Sequence, residues 1–250
     1  MFFSFSKKNC GKLYKVIFAM TLLMSIQAYS QTDELGSWNI ISLKKTYSNR
    51  FYSYAETQTR SQKIFNNFYY YELKGGGGYN FTKDFNAFMG LGKYETYAYD
   101  GNFRTPVQAD EFRMWEQFAL VSRINRVLIE HRYRIEQRWI NGDYRNRFRV
   151  RLNAIVPINH TKIISHTWYA SIYDELFLTN EAPYFERNRF LAGGGYQFND
   201  KIALQTCWIR QFDYRNTLPS IAKNFMQTTL FITLPAKKKV VVEKHPSSDD

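Results

Sequence analysis

The amino-acid sequence predicts an all-β protein, an antiparallel up-and-down transmembrane β-barrel of about ten strands that follows an N-terminal signal peptide. Three observations predict this class. They are two consecutive strands with one charged and one apolar face, a secretion signal at the N-terminus, and an aromatic content of 18%. Many aromatic side chains are expected in such a barrel, because they form girdles at its two membrane interfaces.

The stretch Tyr144–Val156 alternates between two kinds of side chain. Arginine occupies four successive positions of one parity, and mostly apolar residues occupy the other. The stretch before it, Val127–Ile140, repeats the pattern with glutamate and arginine on one side. A period of two indicates extended strands. Since two neighbouring strands of this kind cannot place both faces in one dry core, one face must meet an apolar medium and the other a hydrated one, as in a transmembrane barrel.

We predict that the charged faces point into the lumen and form a network of guanidinium and carboxylate groups. Cross-strand pairing is expected to set some of the arginines against Glu130 and Glu136. A barrel of about eight strands is already filled by side chains, so the network would nearly close a lumen of ten. Its predicted members are Glu130, Arg132, Arg134, Glu136, Arg138, Arg145, Arg147, Arg149, Arg151, Glu175, Arg187 and Arg189.

Residues 1–30 have the three parts of a secretory signal peptide. Four lysines precede the apolar run Val16–Ile26, which is too short to span a bilayer, and Ala28-Tyr29-Ser30 offers a cleavage site. The mature chain would then begin at Gln31. We therefore expect the protein to be secreted and to reside in the outer membrane of a Gram-negative bacterium.

The charge of the chain narrows the class of partner. The formal charge of +12 falls to +8 when the four lysines of residues 1–30 are removed. The remaining excess is largely arginine that follows the strands, whereas nucleic-acid binding needs a basic surface that can reach phosphates. We therefore expect no nucleic acid. The expected partners are membrane lipid and lipopolysaccharide, the outer-membrane assembly machinery and small anionic solutes.

Loss of Cys10 with the signal peptide would leave Cys207 as the one cysteine of the mature chain, which excludes an intramolecular disulfide.

Turn signals divide the chain into segments whose length suits tilted membrane-spanning strands. One candidate, Leu35–Lys45, comes before ten others. Because single-chain bacterial barrels have an even number of strands, we predict ten strands with Leu35–Lys45 outside the wall, or twelve if it is a strand and one hairpin is hidden. The ten are Arg50–Arg60, Phe68–Phe81, Phe85–Tyr99, Glu111–Asn125, Val127–Ile140, Tyr144–Val156, His166–Phe177, Arg187–Phe198, Ile202–Asp213 and Phe225–Leu234.

The connections are expected to alternate in length, with short turns such as Asn125-Arg126 and Pro157–Lys162 and longer loops such as Asp100–Asp110. Short turns face the periplasm in outer-membrane barrels, so the last strand should end there. The barrel would occupy residues 31–234, and Pro235–Asp250 would form a disordered periplasmic tail.

Glycine runs at Gly75–Gly78 and Gly193–Gly195 lie inside strands, which favours bending and close packing of the wall.

Four stretches together resemble a known family. They are Glu130–Trp139, Arg145–Leu152, Asp174-Glu175 and Arg187–Phe198. In combination they are similar to the uncharacterised outer-membrane proteins grouped as DUF2490, over about Gly36 to Leu234. The resemblance implies a secreted outer-membrane β-barrel of the kind common in Bacteroidetes, and it implies no known activity. One departure is the C-terminus, since such barrels usually end on an aromatic residue and sixteen residues follow Leu234 here.

Several interpretations of the charged face remain open at this point. The network could be structural and plug the barrel, it could line a narrow anion-preferring pore, or the barrel could be an enzyme acting on lipid or peptide. No catalytic residue, cofactor or metal site is predicted, because Ser165 and His166 are neighbours only in sequence and Asp174-Glu175 point to opposite faces of a strand. A soluble ligand-binding barrel would reverse the two faces, with the apolar side inward.

Overall fold

The protein is described by a computed structural model that covers residues 34–98, 102–215 and 218–236. The predicted signal peptide lies outside the described residues, as does the predicted tail beyond residue 236. Within these ranges no helix is long and apolar enough to cross a membrane. The described secondary structure consists of strands that form one closed barrel, which confirms the prediction of an all-β barrel.

Eleven strands make up the wall in the described part of the chain. The predicted segments all correspond to strands, and Val127–Ile140 and Ile202–Asp213 have the bounds that the sequence indicated. The strands are β1 (Gly36–Thr46), β2 (Phe51–Lys63), β3 (Asn66–Asn80), β4 (Phe85–Tyr97), β5 (Val107–Ile124), β6 (Val127–Ile140), β7 (Asp143–Pro157), β8 (Thr167–Thr179), β9 (Phe185–Gln197), β10 (Ile202–Asp213) and β11 (Ile221–Leu234).

The barrel closes between its first and last strands, and here the predicted count is wrong. β1 pairs with β11 in parallel, from Gly36 opposite Phe225 to Lys45 opposite Leu234. The other neighbouring strands pair antiparallel, in chain order. The segment predicted as Leu35–Lys45 is therefore part of the wall, and the count is eleven instead of ten or twelve. An even number is needed only if every pair is antiparallel, because the first and last strands of an odd set run in the same direction.

The odd count places the two ends of the wall at opposite rims. The N-terminal rim contains the start of β1 and the connections that follow β2, β4, β6, β8 and β10. The C-terminal rim contains the end of β11 and the connections that follow β1, β3, β5, β7 and β9. The connection after β7 runs from 158 to 166 and is longer than the turn predicted at Pro157–Lys162. Loop length alone therefore does not distinguish the two rims.

Side chains alternate between lumen and exterior along each strand, as the pleat requires. On β7, the side chains of Phe148, Val150 and Leu152 lie outside and are 38–40% exposed. The arginines that alternate with them lie in the lumen and are 2–3% exposed. The charged face of this strand is thus the interior one, and the apolar face is the exterior.

Glycines in β3 and β4 make room for aromatic rings in the lumen. A Cβ atom added to Gly90 would lie 2.3 Å from Cζ2 of Trp115, and one added to Gly78 would lie 2.0 Å from Cζ of Tyr52. Both distances are below any normal contact. A larger residue at these positions would therefore displace the ring of the neighbouring strand, which packs directly on the glycine backbone.

Candidate functional site

The interior of the barrel is lined by charged side chains that are withdrawn from solvent. Ten cations and six glutamates are buried among the described residues, an excess of four cations. We call this set the luminal network. Its members are Arg60, Lys74, Arg113, Arg132, Arg134, Arg138, Arg147, Arg149, Arg151, Arg189, Glu56, Glu72, Glu111, Glu130, Glu136 and Glu175.

The register of β6 on β7 brings like charges face to face. Glu136 lies opposite Arg147 as expected, but Glu130 lies opposite Asn153. Like charges directly opposite each other on one face of a sheet are destabilising, so these arginines need carboxylates from elsewhere. The three arginine pairs are Arg132 with Arg151, Arg134 with Arg149 and Arg138 with Arg145.

Glu175 of β8 supplies one of these carboxylates. Nη2 of Arg132 lies 2.5 Å from its Oε1 atom, although β7 separates the two strands. Arg149 donates to both carboxylate oxygens, with Nε at 3.1 Å and Nη2 at 2.9 Å. The side chain of Glu175 is 0% exposed. A bidentate guanidinium–carboxylate pair is among the stronger hydrogen-bonded contacts in proteins, so Glu175 joins β6, β7 and β8 through their side chains.

Glu136 of β6 has a similar role nearer the N-terminal rim. Arg147 donates from Nε to Oε2 at 2.7 Å, and Arg149 donates from Nη1 to Oε1 at 2.8 Å. A third cation, Arg134, places Nη1 at 3.6 Å from Oε1. Arg134 also donates twice to the amide oxygen of Gln117 on β5, at 2.9 and 2.6 Å.

Two further carboxylates, those of Glu130 and Glu111, pair with arginines of β5, β6 and β7. Glu130 accepts from Nη2 of Arg151 at 2.9 Å, which is a diagonal contact between β6 and β7. Glu111 of β5 accepts from Nη2 of Arg138 at 3.0 Å and from Nε and Nη2 of Arg113 at 2.5 and 2.7 Å. Glu111 and Arg113 were not predicted as members, although they share one parity on β5 and could have been found from it.

At the N-terminal end of the lumen, Glu186 of β9 joins β6, β7 and β9. Its carboxylate lies 3.1 Å from Arg147, 3.4 Å from Arg138 and 3.6 Å from Arg145. Arg145 is half-buried, with 35% of its side chain exposed. Arg187 is also half-buried and pairs with Asp213 of β10.

Arg189 completes the twelve predicted positions. It is buried and donates from Nε to the amide oxygen of Gln211 at 2.9 Å. All twelve predicted side chains are therefore buried or half-buried. Each predicted arginine has a polar contact to a glutamate, aspartate or glutamine side chain, and each predicted glutamate has a polar contact to an arginine.

A second group of interior charges lies on β2 and β3 and was not predicted. Nζ of Lys74 lies 2.7 Å from Oε1 of Glu56 and 2.8 Å from Oε1 of Glu72. Arg60 approaches Glu72 with Nη2 at 3.5 Å. Charged residues in β2 and β3 share one parity, as they do in β7, which indicates an interior face. The pattern is weaker in β2 and β3 because tyrosine and glutamine share that parity with the charged residues.

Buried aromatic rings connect the two groups. The guanidinium carbon of Arg60 lies 3.5 Å from the ring centre of Trp38, and that of Arg189 lies 4.8 Å from the same ring. Trp38 belongs to β1, so the contact with Arg60 joins neighbouring strands, whereas the contact with Arg189 crosses the parallel seam past β11 and β10 to β9. Cations over aromatic faces are attracted by the ring quadrupole. The ring of Phe177 has four guanidinium groups within 5.7 Å, those of Arg147, Arg149, Arg187 and Arg189.

Residues that could carry catalysis have other partners. The hydroxyl of Ser165 donates to Asp200 at 2.9 Å, whereas Nδ1 of His166 lies 3.2 Å from the hydroxyl of Tyr196. Asp174 lies on the exterior and accepts from Asn188 at 2.9 Å. The described residues contain no group of three or more His, Cys, Asp or Glu side chains that could hold a metal ion.

Comparison with known proteins identifies the family. The family model of DUF2490, described as a protein of unknown function, matches residues 35–220. This range begins with β1 and ends just before β11. No curated protein and no solved structure matches the chain. Because the match covers most of the 250 residues, the chain belongs to the DUF2490 family.

Proposed function

We propose that this chain is an integral outer-membrane β-barrel whose lumen is closed by the luminal network, so that its primary role is structural and no solute passes through it. One observation carries the proposal. The charged residues of β7 lie inside the barrel, and Phe148, Val150 and Leu152 lie outside. A soluble protein has the opposite arrangement, because charged groups are costly to bury and large apolar surfaces are costly to expose.

The exterior of the barrel supports contact with hydrocarbon. Large apolar side chains project outward and are exposed on strands all around the wall, whereas soluble monomers rarely expose extensive apolar surface. Lipid acyl chains would remove this surface from water. Examples from different strands are Ile41, Leu73, Met89, Leu91, Met114, Phe118, Leu120, Ile135, Ile172, Leu204 and Trp208.

Aromatic rings at both ends of the wall support two membrane interfaces. At the C-terminal rim, Tyr79 packs against Phe51 and Phe81 with ring centres 5.0 Å apart in each pair. At the N-terminal rim, the ring of Trp139 lies 5.8 Å from Phe112 and 5.3 Å from Tyr144. Aromatic girdles of this kind flank the apolar band of outer-membrane barrels.

The interior contacts support a closed lumen. The pairs of Arg132 with Glu175, of Arg138 with Glu186 and of Arg189 with Trp38 all join strands that are not neighbours in the wall. Side chains that meet in this way occupy the space through which a solute would have to pass. In small barrels the interior is filled by side chains in the same manner.

Membrane insertion is tested by fractionation and by gel mobility. We expect the full chain to sediment with outer membranes, to resist extraction by alkaline carbonate and to migrate faster in unheated than in heated SDS samples. Recovery in the soluble periplasmic fraction would refute the proposal. A variant of the exterior, Val150→Arg, should be inserted less efficiently, since an arginine on the lipid face costs about 2–4 kcal/mol near the bilayer centre.

Closure of the lumen is tested in planar bilayers. We expect the purified barrel to insert without producing ohmic current steps. The second candidate function, a narrow anion-preferring pore, is favoured by the excess of four buried cations, since rings of charge select ions in channels. Reproducible steps with a reversal potential that indicates anion selectivity would establish the pore in place of the closed barrel.

A further inference from the structure

The two rims of the barrel differ in charge. Each rim consists of its connections, the described residues that flank β1 or β11, and the three adjoining residues of each strand. The N-terminal rim carries seven cations and six carboxylates. The C-terminal rim carries eight cations and only two carboxylates, Asp84 and Asp200. Its cations are Lys44, Lys45, Arg50, Lys83, Arg123, Arg126, Lys162 and Lys201.

The cations of the C-terminal rim are solvent-facing, in contrast to those of the luminal network. Lys44 is half-buried and the other seven are exposed. The cations are distributed around the circumference of the rim. Each of its five connections, taken with the adjoining strand ends, contributes at least one cation. With two carboxylates present, the rim retains a surplus of six positive charges.

An aromatic girdle lies immediately inside this basic rim. Rings of Phe51, Tyr79, Phe81 and Phe85 contact one another in series with centres 5.0 Å apart. A second part of the aromatic girdle contains Trp168 and Tyr196, whose ring centres are 4.6 Å apart.

One contact links the girdle to the basic rim. Arg50 of the rim donates from Nη1 to the hydroxyl of Tyr79 at 3.1 Å. Aromatic side chains mark the headgroup level of a membrane, so the cations beyond them lie at the level of the phosphates.

We propose that the C-terminal rim binds the phosphate groups of anionic glycerophospholipids in the leaflet that it meets. The inference rests on the proposed insertion into the membrane. It also takes the orientation predicted from the sequence, with the last strand ending in the periplasm and the C-terminal rim in the periplasmic leaflet; connection length does not decide this orientation, and the comparison with lipid A below tests it. A basic segment at an anionic membrane surface gains about 1 kcal/mol for each Lys or Arg close to it, which corresponds to a ratio of about fivefold in association constant.

The proposal is tested with brominated lipids, which quench tryptophan fluorescence on contact. The protein is inserted in vesicles of phosphatidylcholine and of phosphatidylcholine with phosphatidylglycerol, with one lipid brominated in each series. Trp168 is exposed at the C-terminal rim and reports on lipids bound there. We expect phosphatidylglycerol to associate about fivefold more strongly than phosphatidylcholine, and 0.5 M salt to reduce this preference by screening.

Two variants with the same loss of charge locate the site. The rim variant is Lys83→Gln, Arg126→Gln, Lys162→Gln and Lys201→Gln. The control variant is Lys63→Gln, Lys93→Gln, Arg104→Gln and Arg215→Gln, at or near the N-terminal rim. All eight residues are exposed. The rim variant should lose the preference for phosphatidylglycerol, with a ratio near one, and the control variant should keep it.

The outcomes separate this inference from the proposed function. If both variants keep the preference, or both lose it equally, the C-terminal rim is not the binding site. If the rim substitutions weaken association with lipid A more than with phosphatidylglycerol, the choice of glycerophospholipid is wrong. If brominated phosphatidylcholine fails to quench any tryptophan, the protein is not in the bilayer, and the proposed function itself fails.

Discussion

Replacement of Arg147 by leucine removes a buried cation that two carboxylates share. Arg147 donates from Nε and Nη2 to Oε2 of Glu136, at 2.7 and 2.5 Å, and from Nη1 to Oε1 of Glu186 at 3.1 Å. The side chain of Arg147 is 3% exposed, and that of Glu136 is 1% exposed. The variant would leave the buried carboxylate of Glu136 with less charge compensation.

The expected loss of stability depends on the ion pairs that Glu136 and Glu186 keep in the variant. Breaking a buried ion pair by removal of one partner costs about 3–5 kcal/mol, because a buried charge is left uncompensated. Here Glu136 keeps the contact from Arg149 at 2.8 Å, and Glu186 keeps Arg138 at 3.4 Å. We therefore expect the lower end of that range, a loss of about 3 kcal/mol in the free energy of unfolding.

The matched control is Arg104→Leu, which removes the same charge from an exposed connection. An exposed substitution of this kind should change stability by about 0.5 kcal/mol or less. Both proteins would be refolded in vesicles and unfolded in urea, and the folded fraction would be read from the mobility of unheated samples in SDS gels. Equal urea midpoints for the two variants would refute the view that Arg147 is held in a buried network.

Three further predictions concern the exterior, the wall and the interior. Val150→Arg should lower stability in vesicles by about 2–4 kcal/mol if the exterior faces hydrocarbon; a change within about 0.5 kcal/mol would indicate a hydrated exterior. Gly76→Ala should lower the urea midpoint and Gly77→Ala should not, because a Cβ atom at Gly76 would lie 2.0 Å from a backbone oxygen and one at Gly77 meets nothing within 4 Å. Cys207 is 2% exposed, so in a Cys10→Ser variant, where it is the one remaining thiol, it should react with maleimide-polyethylene glycol only after heating in SDS. Labelling of the folded protein would contradict the place of Cys207 in the lumen.

The faces of the strands were predictable because they depend on local pattern. A period of two fixes which residues share a face, so Arg147 and Arg149 had to be on one side of β7 and Phe148 on the other. The choice of the inner side for the arginines used one further physical argument, that two adjacent amphipathic strands need two different media. The strand ends were also close to prediction, because glycine, proline, asparagine and aspartate punctuate the chain where the turns occur.

The contacts within the lumen were not predictable in the same way. Pairing on β6 and β7 sets Arg132 against Arg151, and the carboxylate that compensates them comes from Glu175 on β8. Which side chains meet depends on the stagger of the strands and on how far long side chains reach across the barrel. Glu186 was missed for this reason, since it precedes the predicted strand Arg187–Phe198 and lies beside a register shift between β8 and β9. Glu111 could have been found from the parity that it shares with Arg113.

The sequence by itself determined that this chain forms strands with a charged and an apolar face, because alternation is a property of neighbours in the chain. Only the tertiary structure decided that β1 closes the wall against β11 in parallel and makes the count eleven. Closure depends on a pairing between residues 36–45 and 225–234, and no local pattern specifies whether two distant strands meet parallel or antiparallel. The same physical reason applies to the ion pairs, which form between side chains that closure of the barrel brings together.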